Sequence, residues 1–337
     1  MDAARKIGAS VCVLTHATGR LHLIPLMEGY EVRGIPAEAG VVAPHSPCRT
    51  SYPLSLIQDI LEYYGAAHTC DEISRDVDET EAALDVRHCV EAYFEDEVFQ
   101  RKVRILDYGC GAGSSSVTLA RLFPHAQILG VDFVLKLTVI ARQRAAHYGL
   151  RNLSFETVPP EGRSFKGEFD FVFLNAVYEH LLPHEREAVL SGATSALKAG
   201  GVLLLNQTPH RWFPIETHTT GLPLLNFLPD GLARWAVRKF CRRSVHAMSW
   251  TQLLRAGVRG ATVREIMRNI RHVSPGMVRL RPQRLAKSWA GIWYATKQAR
   301  MHKVHHRRRI LIEWAQKLVQ ATRLPLSPYI SIAILKQ

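Results

Sequence analysis

The sequence predicts an α/β protein in which a parallel sheet covered by helices occupies residues 101–337, preceded by a small α+β region. Three observations predict it. From residue 102 apolar strand-like runs alternate with helical stretches, the signature of a parallel sheet with helices on both faces. A glycine-rich turn, Asp107-Tyr-Gly-Cys-Gly-Ala-Gly113, joins the first of those strands to the first helix. Residues 1–50 read instead as short strands separated by turns. With 337 residues, 47% of them hydrophobic and 22% charged, the chain can bury a large core and fits one large or two small domains.

In order along the chain, Val11–His16, a Thr-Gly turn and Leu21–Leu26 predict a hairpin, with a third strand near Gly29–Ile35. The stretch 41–53, with three prolines, reads as a linker. Leu54, Ile57, Ile60 and Leu61 recur at helical spacing, and 80–99 predicts a longer acidic amphipathic helix. We therefore expect a β-rich segment over 1–50, a helical extension over 51–100, and the α/β domain over 101–337. Within that domain, strands are predicted at 102–109, 126–133, 153–158, 169–176 and 201–208, with a last strand in 327–337. Helices fall between them, after the substrate loop at 249–260, and in an insertion at about 281–322.

The glycine turn carries the chemistry. Alternate glycines let backbone approach a ligand closely and point N–H groups at an anion. The spacing D-x-G-x-G-x-G differs from the G-x-G-x-x-G of NAD-binding turns. Asp107 precedes the glycines, where it meets a cationic amine. Asp132, ending the second strand 19 residues after Gly113, is placed to accept both hydroxyls of a ribose.

The run ILDYGCGAGSS, followed by GVDF and FDFVFLNAVYEHL, resembles the class I S-adenosylmethionine (SAM)-dependent methyltransferases over about residues 100–210. The resemblance implies a Rossmann-like seven-stranded methyltransferase sheet with an antiparallel last strand, for which SPYISIAILKQ is the candidate. It implies SAM as cofactor, its methionine part held by Asp107 and the backbone of Gly109, Gly111 and Gly113, its ribose by Asp132. Glu156, Thr157 and Val158 stand where the adenine is flanked. Relatives that methylate exocyclic amines carry [N/D]-P-P-[Y/F] after the fourth strand. Here Asn175-Ala-Val-Tyr178 keeps the outer residues, with Asn175 near the cofactor, and lacks both prolines. Glu179-His180-Leu instead resembles the V-x-E-H-L of small-molecule methyltransferases. The E-x-x-E-H version that holds a divalent cation in some ubiquinone-pathway enzymes lacks its first glutamate here, so no metal is expected.

The loop after the fifth strand, from Gln207 to Asn226, combines His210, Glu216, His218 and aromatics. A substrate lid with His218 or His210 as general base for a hydroxyl acceptor is one reading, since imidazole titrates near neutrality. Hydrogen bonds tying the loop to the sheet are the other. His180 is a third candidate base. The acceptor is expected to be an oxygen of a small metabolite, glycan, lipid or peptide product, and an anionic acceptor is among the candidates.

The net charge of +13 is unevenly placed: residues 266–312 hold 12 Lys/Arg and no acid, whereas 59–97 hold 13 acids against two arginines. The basic segment, with HKVHHRRR at 302–309, can attract an anionic acceptor, a nucleic acid or a membrane surface, or dock on the acidic segment of the same chain. An RNA or protein N-methyltransferase is the alternative function, and a nucleic-acid partner is not favoured. No apolar run approaches the ~20 residues that span a bilayer. Six scattered cysteines without a C-x-x-C pair argue against a disulfide framework or structural zinc. With no secretory signal in the first residues, a cytoplasmic enzyme is expected.

Overall fold

The computed structural model describes residues 11–38, 41–77, 80–159, 165–241, 243–285, 288–301, 306–322 and 324–337. An antiparallel meander opens the chain: β1 (Cys12–His16), β2 (Gly19–Pro25), β3 (Tyr30–Pro36) and β4 (Cys48–Thr50) pair in sequence order. The last of these lies inside the expected linker, and Val32 pairs with Cys48. Three residues bounded by Pro47 and Pro53 are too few to leave an alternating pattern.

The helix α1 (Leu54–Ser74) buries Leu56, Ile57, Ile60 and Leu61 against Leu21, Leu23 and Val32 of the meander. Gly65, at φ +74°, breaks its helical run. The same core takes in Leu137 and Ile140 of α4 (Leu135–His147), which joins the N-terminal region to the sheet domain. A buried ionic knot reinforces the join. Arg144 of α4, wholly buried, donates to the Glu72 carboxylate at 2.8 Å and to its carbonyl at 3.0 Å, with Asp76 3.9 Å away. Tyr52 donates to Asp76 in turn. Breaking a buried pair strands a charge, so Glu72→Ala is expected to cost about 3–5 kcal/mol. A denaturant midpoint unmoved by the substitution would refute this role.

The helix expected over 80–99 is two pieces: α2 (Glu81–Glu91), capped by Thr80, and a single 3-10 turn at Asp96–Gln100. The carbonyl of Ala92 accepts from the backbone N–H groups of Gln283 and Arg284 (2.8 and 3.2 Å), which diverts it from continuing the helix.

Seven strands form the main sheet: β5 (Arg104–Tyr108), β6 (Gln127–Asp132), β7 (Leu153–Thr157), β8 (Phe169–Asn175), β9 (Leu197–Pro209), β10 (Met277–Arg279) and β11 (Tyr329–Lys336). Their order is β10-β11-β9-β8-β5-β6-β7, and β11 runs antiparallel to both neighbours in an otherwise parallel sheet. Six of the seven strands were expected. The seventh, β10, is three residues long. On one face pack α2, α3 (Ser114–Leu122), α4 and α9 (Trp289–Ala299). On the other lie α5 (Arg186–Ala196) and α8 (Val263–Val273). Between β9 and α8 the chain forms α6 (Asp230–Phe240) and α7 (Trp250–Arg255) over a small core of their own.

The basic insertion is α9 and α10 (His306–Thr322). It docks on the acidic segment: Lys297 and Arg300 pair with Glu81, Arg284 with Asp96 at 2.6 Å and Glu95 at 3.4 Å, and His88 meets Thr296 at 3.0 Å. Part of the apparent surplus charge is thus consumed inside the chain. Of the 302–309 cluster, residues 302–305 lie outside the described residues.

Candidate active site

All the loops that follow parallel strands emerge at one sheet edge, where ligands of such folds bind. The β5–α3 turn lies there with Gly109, Gly111 and Gly113 all at positive φ. Their reasons differ. A Cβ on Gly113 would sit 2.7 Å from the Ala141 Cβ and 2.9 Å from the Phe155 ring, so this glycine lets α3 close onto α4 and β7. A Cβ on Gly111 would meet nothing within 4 Å, so the crest of the turn faces open space.

The turn's amides do not point outward as expected. Gly109 and Cys110 donate to the Val131 carbonyl (2.8 and 3.0 Å), and Gly111 donates to Asp132 Oδ2 at 2.9 Å. Two adjacent parallel strands need their loops stitched together, and these amides do that. Asp132 is thereby fixed, its Oδ1 also accepting from Val134 N–H at 2.9 Å. Each carboxylate oxygen keeps a second lone pair for a hydroxyl. Asp107 accepts from Ser115 and Ser116 through Oδ2 (2.7 and 2.6 Å), while its buried Oδ1 has no partner among the described residues. Burial pushes the Asp107 carboxyl above the usual carboxylate range. An orphaned acceptor wanting a cation, a fixed carboxylate for a diol and an open glycine crest fit the amino-acid and ribose ends of SAM.

Glu156, at the end of β7, is half-buried one residue before Thr157, whose hydroxyl meets that of Thr138 at 2.6 Å. Tyr63 of α1, overlooked in the sequence, comes near enough to Asp132 that its phenol is raised by burial and by that charge. Asn175 accepts from Asn206 at 2.7 Å, and Asn206 accepts from Ser331, a polar chain linking β8, β9 and β11. After Asn175 the backbone turns left-handed: Ala176 has φ +55°. Proline, locked near −65°, cannot take that conformation. The missing prolines therefore reflect a different loop shape. Tyr178 points away from the edge, wholly buried, with Asn269 donating to its hydroxyl at 3.0 Å.

Beside the cradle stands a cluster of titratable groups. Gly109 is close enough that a Cβ there would lie 2.9 Å from Val177, two residues before Glu179. Glu179, His180 and His218 bring one donor atom each to within 4.8 Å of one another. His180 Nδ1 lies 2.7 Å from the Arg255 carbonyl. A carbonyl only accepts, so Nδ1 carries the proton and Nε2 presents its lone pair 3.9 Å from Glu179 Oε1. Among the described residues that oxygen is buried without a hydrogen-bond partner, and Oε2 has only Thr208 at 3.4 Å. Burial pushes Glu179 up to about 8. His218 packs its ring 5.6 Å from that of His180 and 6.3 Å from Tyr329. Burial, then the neighbouring His180, Arg75 and Arg243, lower it to about 4. Its ring lies against Gly257, where a Cβ would be 2.5 Å away.

The loop bearing His218 is built around Glu216. This buried carboxylate accepts from the backbone N–H groups of His218, Thr219 and Thr220 and from the Thr220 hydroxyl. Glu216 ties the loop down, and His218 reaches the cluster. His210 is set apart, buried with Nδ1 3.2 Å from the Ser327 carbonyl and its ring edge-on to Trp289. It braces β9 against the insertion. Arg75, Thr208, Tyr329 and Gly257, which complete the surroundings of the cluster, come from four distant segments with no local motif.

The profile of a family described as "Methyltransferase domain" matches residues 105–201. A malonyl-[acyl-carrier protein] O-methyltransferase of Bacillus cereus is 30% identical over 118 residues, 35% of this chain and 42% of that protein. A ubiquinone biosynthesis O-methyltransferase of Xanthomonas euvesicatoria is 33% identical over 110 residues, 32% of this chain and 44% of that one. The chain thus spans less than half the length of these curated relatives. Among solved structures, the SAM-dependent methyltransferase SibL is similar over 81% of this chain and 57% of its own at 15% identity, with a TM-score of 0.42. The matched segment runs from β5 to the start of β9 and holds the glycine turn, Asp107, Asp132 and the Glu179-His180 pair. Residues 105–201 thus match a methyltransferase domain, in a segment similar to O-methyltransferases.

Proposed function

We propose that the chain transfers the methyl group of SAM to an oxygen, hydroxyl or carboxylate, of a small metabolite, glycan, lipid or peptide product, with Glu179, His180 and His218 as the proton-accepting cluster. One observation carries this reading: two segments, Glu179-His180 and the loop carrying His218, bring two imidazoles together with a buried carboxylate whose Oε1 has no hydrogen-bond partner among the described residues, beside the cofactor turn. SAM supplies an electrophilic methyl on its sulfonium. What remains for the protein is alignment at about 3 Å and removal of the hydroxyl proton. His180, held through Nδ1, offers Nε2 as acceptor, and the half-exposed side chain is reachable from solvent. Glu179 Oε1 shares that proton once its carboxyl is ionised, as pH rises through about 8. A carboxylate acceptor needs no base, so the cluster favours a hydroxyl.

The same three donors can hold a divalent cation, His218 standing in for the expected but absent glutamate. Chelator treatment of the purified protein separates the readings: turnover unchanged supports proton acceptance alone, and loss restored by one metal supports a cation. The N-methyltransferase alternative has weaker support, since Arg284, Lys297 and Arg300 are already paired within the chain and Tyr178 faces the core. Labelled methyl transfer to cell-extract fractions, with mass spectrometry of the product, tests the proposal. A methyl on oxygen supports it, and a methyl on nitrogen overturns it.

The raised Glu179 has a thermodynamic signature. Between its unfolded value near 4.5 and about 8 the folded state holds more protons than the unfolded, so its contribution to stability falls as pH rises through that window. His218, lowered to about 4 from 6.5, acts oppositely, but only below pH 6.5. From pH 6.5 to 8 the Glu179 effect stands alone between these two. Glu179→Gln is expected to flatten the fall in stability there, by up to about 2 kcal/mol. Parallel melting profiles of variant and wild type would contradict the raised value.

A further inference from the structure

The segment between β9 and α8 has a second face, turned away from its small core. Trp212, Leu224, Phe227, Leu232, Trp235 and Phe240 are each more than half exposed there. They form one surface. Pro214 accepts from Leu224 N–H, a bridge joins Ile215 to Pro223, the turn at Leu225–Phe227 packs on α6, and the rings of Trp235 and Phe240 lie 5.4 Å apart. Exposed apolar patches of this kind mark interaction sites. On α6 the buried face, Ala233, Ala236 and Val237, is small; Trp235 sits opposite it, Leu232 at its margin, and Phe240 is exposed at the end of the helix.

Charge names the partner. Residues 217–264 carry eight Lys/Arg and one acid, Asp230. That acid already pairs with Arg259 at 2.9 Å and accepts from Trp250. Arg234, Arg238 and Lys239 are exposed among the aromatics and have no carboxylate partner among the described residues. Two copies of such a face repel one another, whereas aromatic and aliphatic residues interleaved with cations suit the interface of an anionic bilayer.

We propose that this face, α6 with the adjoining 212–227 segment, docks on an anionic lipid surface. The apolar side chains enter the acyl boundary and the three cations remain among the headgroups. Docking stands independently of methyl transfer. Its consequence for the proposed function is direct: Arg243 donates to the carbonyls of His218 and Thr219, and Arg259 to those of Leu225 and Asn226, so the lid bearing His218 is fastened to the docking face. An amphiphilic acceptor held in the bilayer would then be presented beside the cluster.

The test is co-sedimentation of the full chain with vesicles of phosphatidylcholine alone and with vesicles also containing phosphatidylglycerol, together with tryptophan emission. Binding is expected only with phosphatidylglycerol, weakened by salt, with a blue-shifted emission. L232E/W235E and R234E/R238E/K239E are each expected to lower partitioning by about tenfold or more without changing the melting temperature. Trp314→Glu, on the exposed stripe of α10 (Leu311, Trp314, Leu318), is the control and is expected to bind as wild type. The proposal is overturned by no vesicle binding, by equal binding to neutral vesicles, or by loss on Trp314→Glu with L232E/W235E unaffected. Concentration-dependent dimerisation abolished by L232E/W235E, without vesicle binding, would assign the face to a second copy and also overturns it.

Discussion

Replacing His218 by alanine is expected to lower kcat by roughly 10²- to 10⁴-fold, the range lost with a positioned general base, while the affinity for S-adenosylhomocysteine stays unchanged. The imidazole touches His180, Tyr329 and Gly257 but none of the turn residues Gly109–Gly113, so the two functions separate. His180→Ala is expected to lower kcat comparably, since Nε2 of that ring is the acceptor with an assigned lone pair. If the two histidines work as one unit, the double variant loses little more than either single one. A product carrying its methyl on a carboxylate would predict a different pattern, with both variants near wild type. Equal turnover of His218→Ala and wild type on a hydroxyl acceptor would make this residue a brace for the loop.

Asp132→Ala is expected to weaken S-adenosylhomocysteine binding by about 2–4 kcal/mol, roughly 30- to 1000-fold, because it removes a charged hydrogen-bond acceptor. Two contributions combine. The ribose hydroxyls lose their partner, and Gly111 N–H loses the carboxylate that holds the crest of the turn. Asp132→Asn keeps one oxygen for Gly111 and should fall between the two. An unchanged dissociation constant for Asp132→Ala would refute the ribose assignment.

The parallel sheet was legible because its strands are buried on both faces and so read as continuous apolar runs, such as Phe171–Leu174 and Val202–Leu205. The cofactor turn was legible because it is local: Asp107 and three glycines lie within seven residues. Short strands were not. Cys48–Thr50 and Met277–Arg279 owe their conformation to the partner strand, and three residues hold no period. The break in the 80–99 helix depends on Gln283 and Arg284, nearly two hundred residues away. The direction of the turn's amides was also hidden, because a glycine pattern predicts a sharp bend without saying which carbonyl its N–H groups find. For the cluster, the sequence offered His218 or His210 as the base, with His180 as a third candidate. Only tertiary contact separates them, placing two beside Glu179 and the third under Trp289.

Everything proposed for the cluster presupposes a nucleoside cofactor seated at the glycine crest between Asp107 and Asp132. Isothermal titration of the full wild-type chain with S-adenosylhomocysteine tests that most directly. One molecule bound per chain, in the micromolar range and weakened by Asp132→Ala, is the predicted result. No heat of binding at ligand concentrations up to about 1 mM, where even weak sites of a few kcal/mol fill, would contradict it.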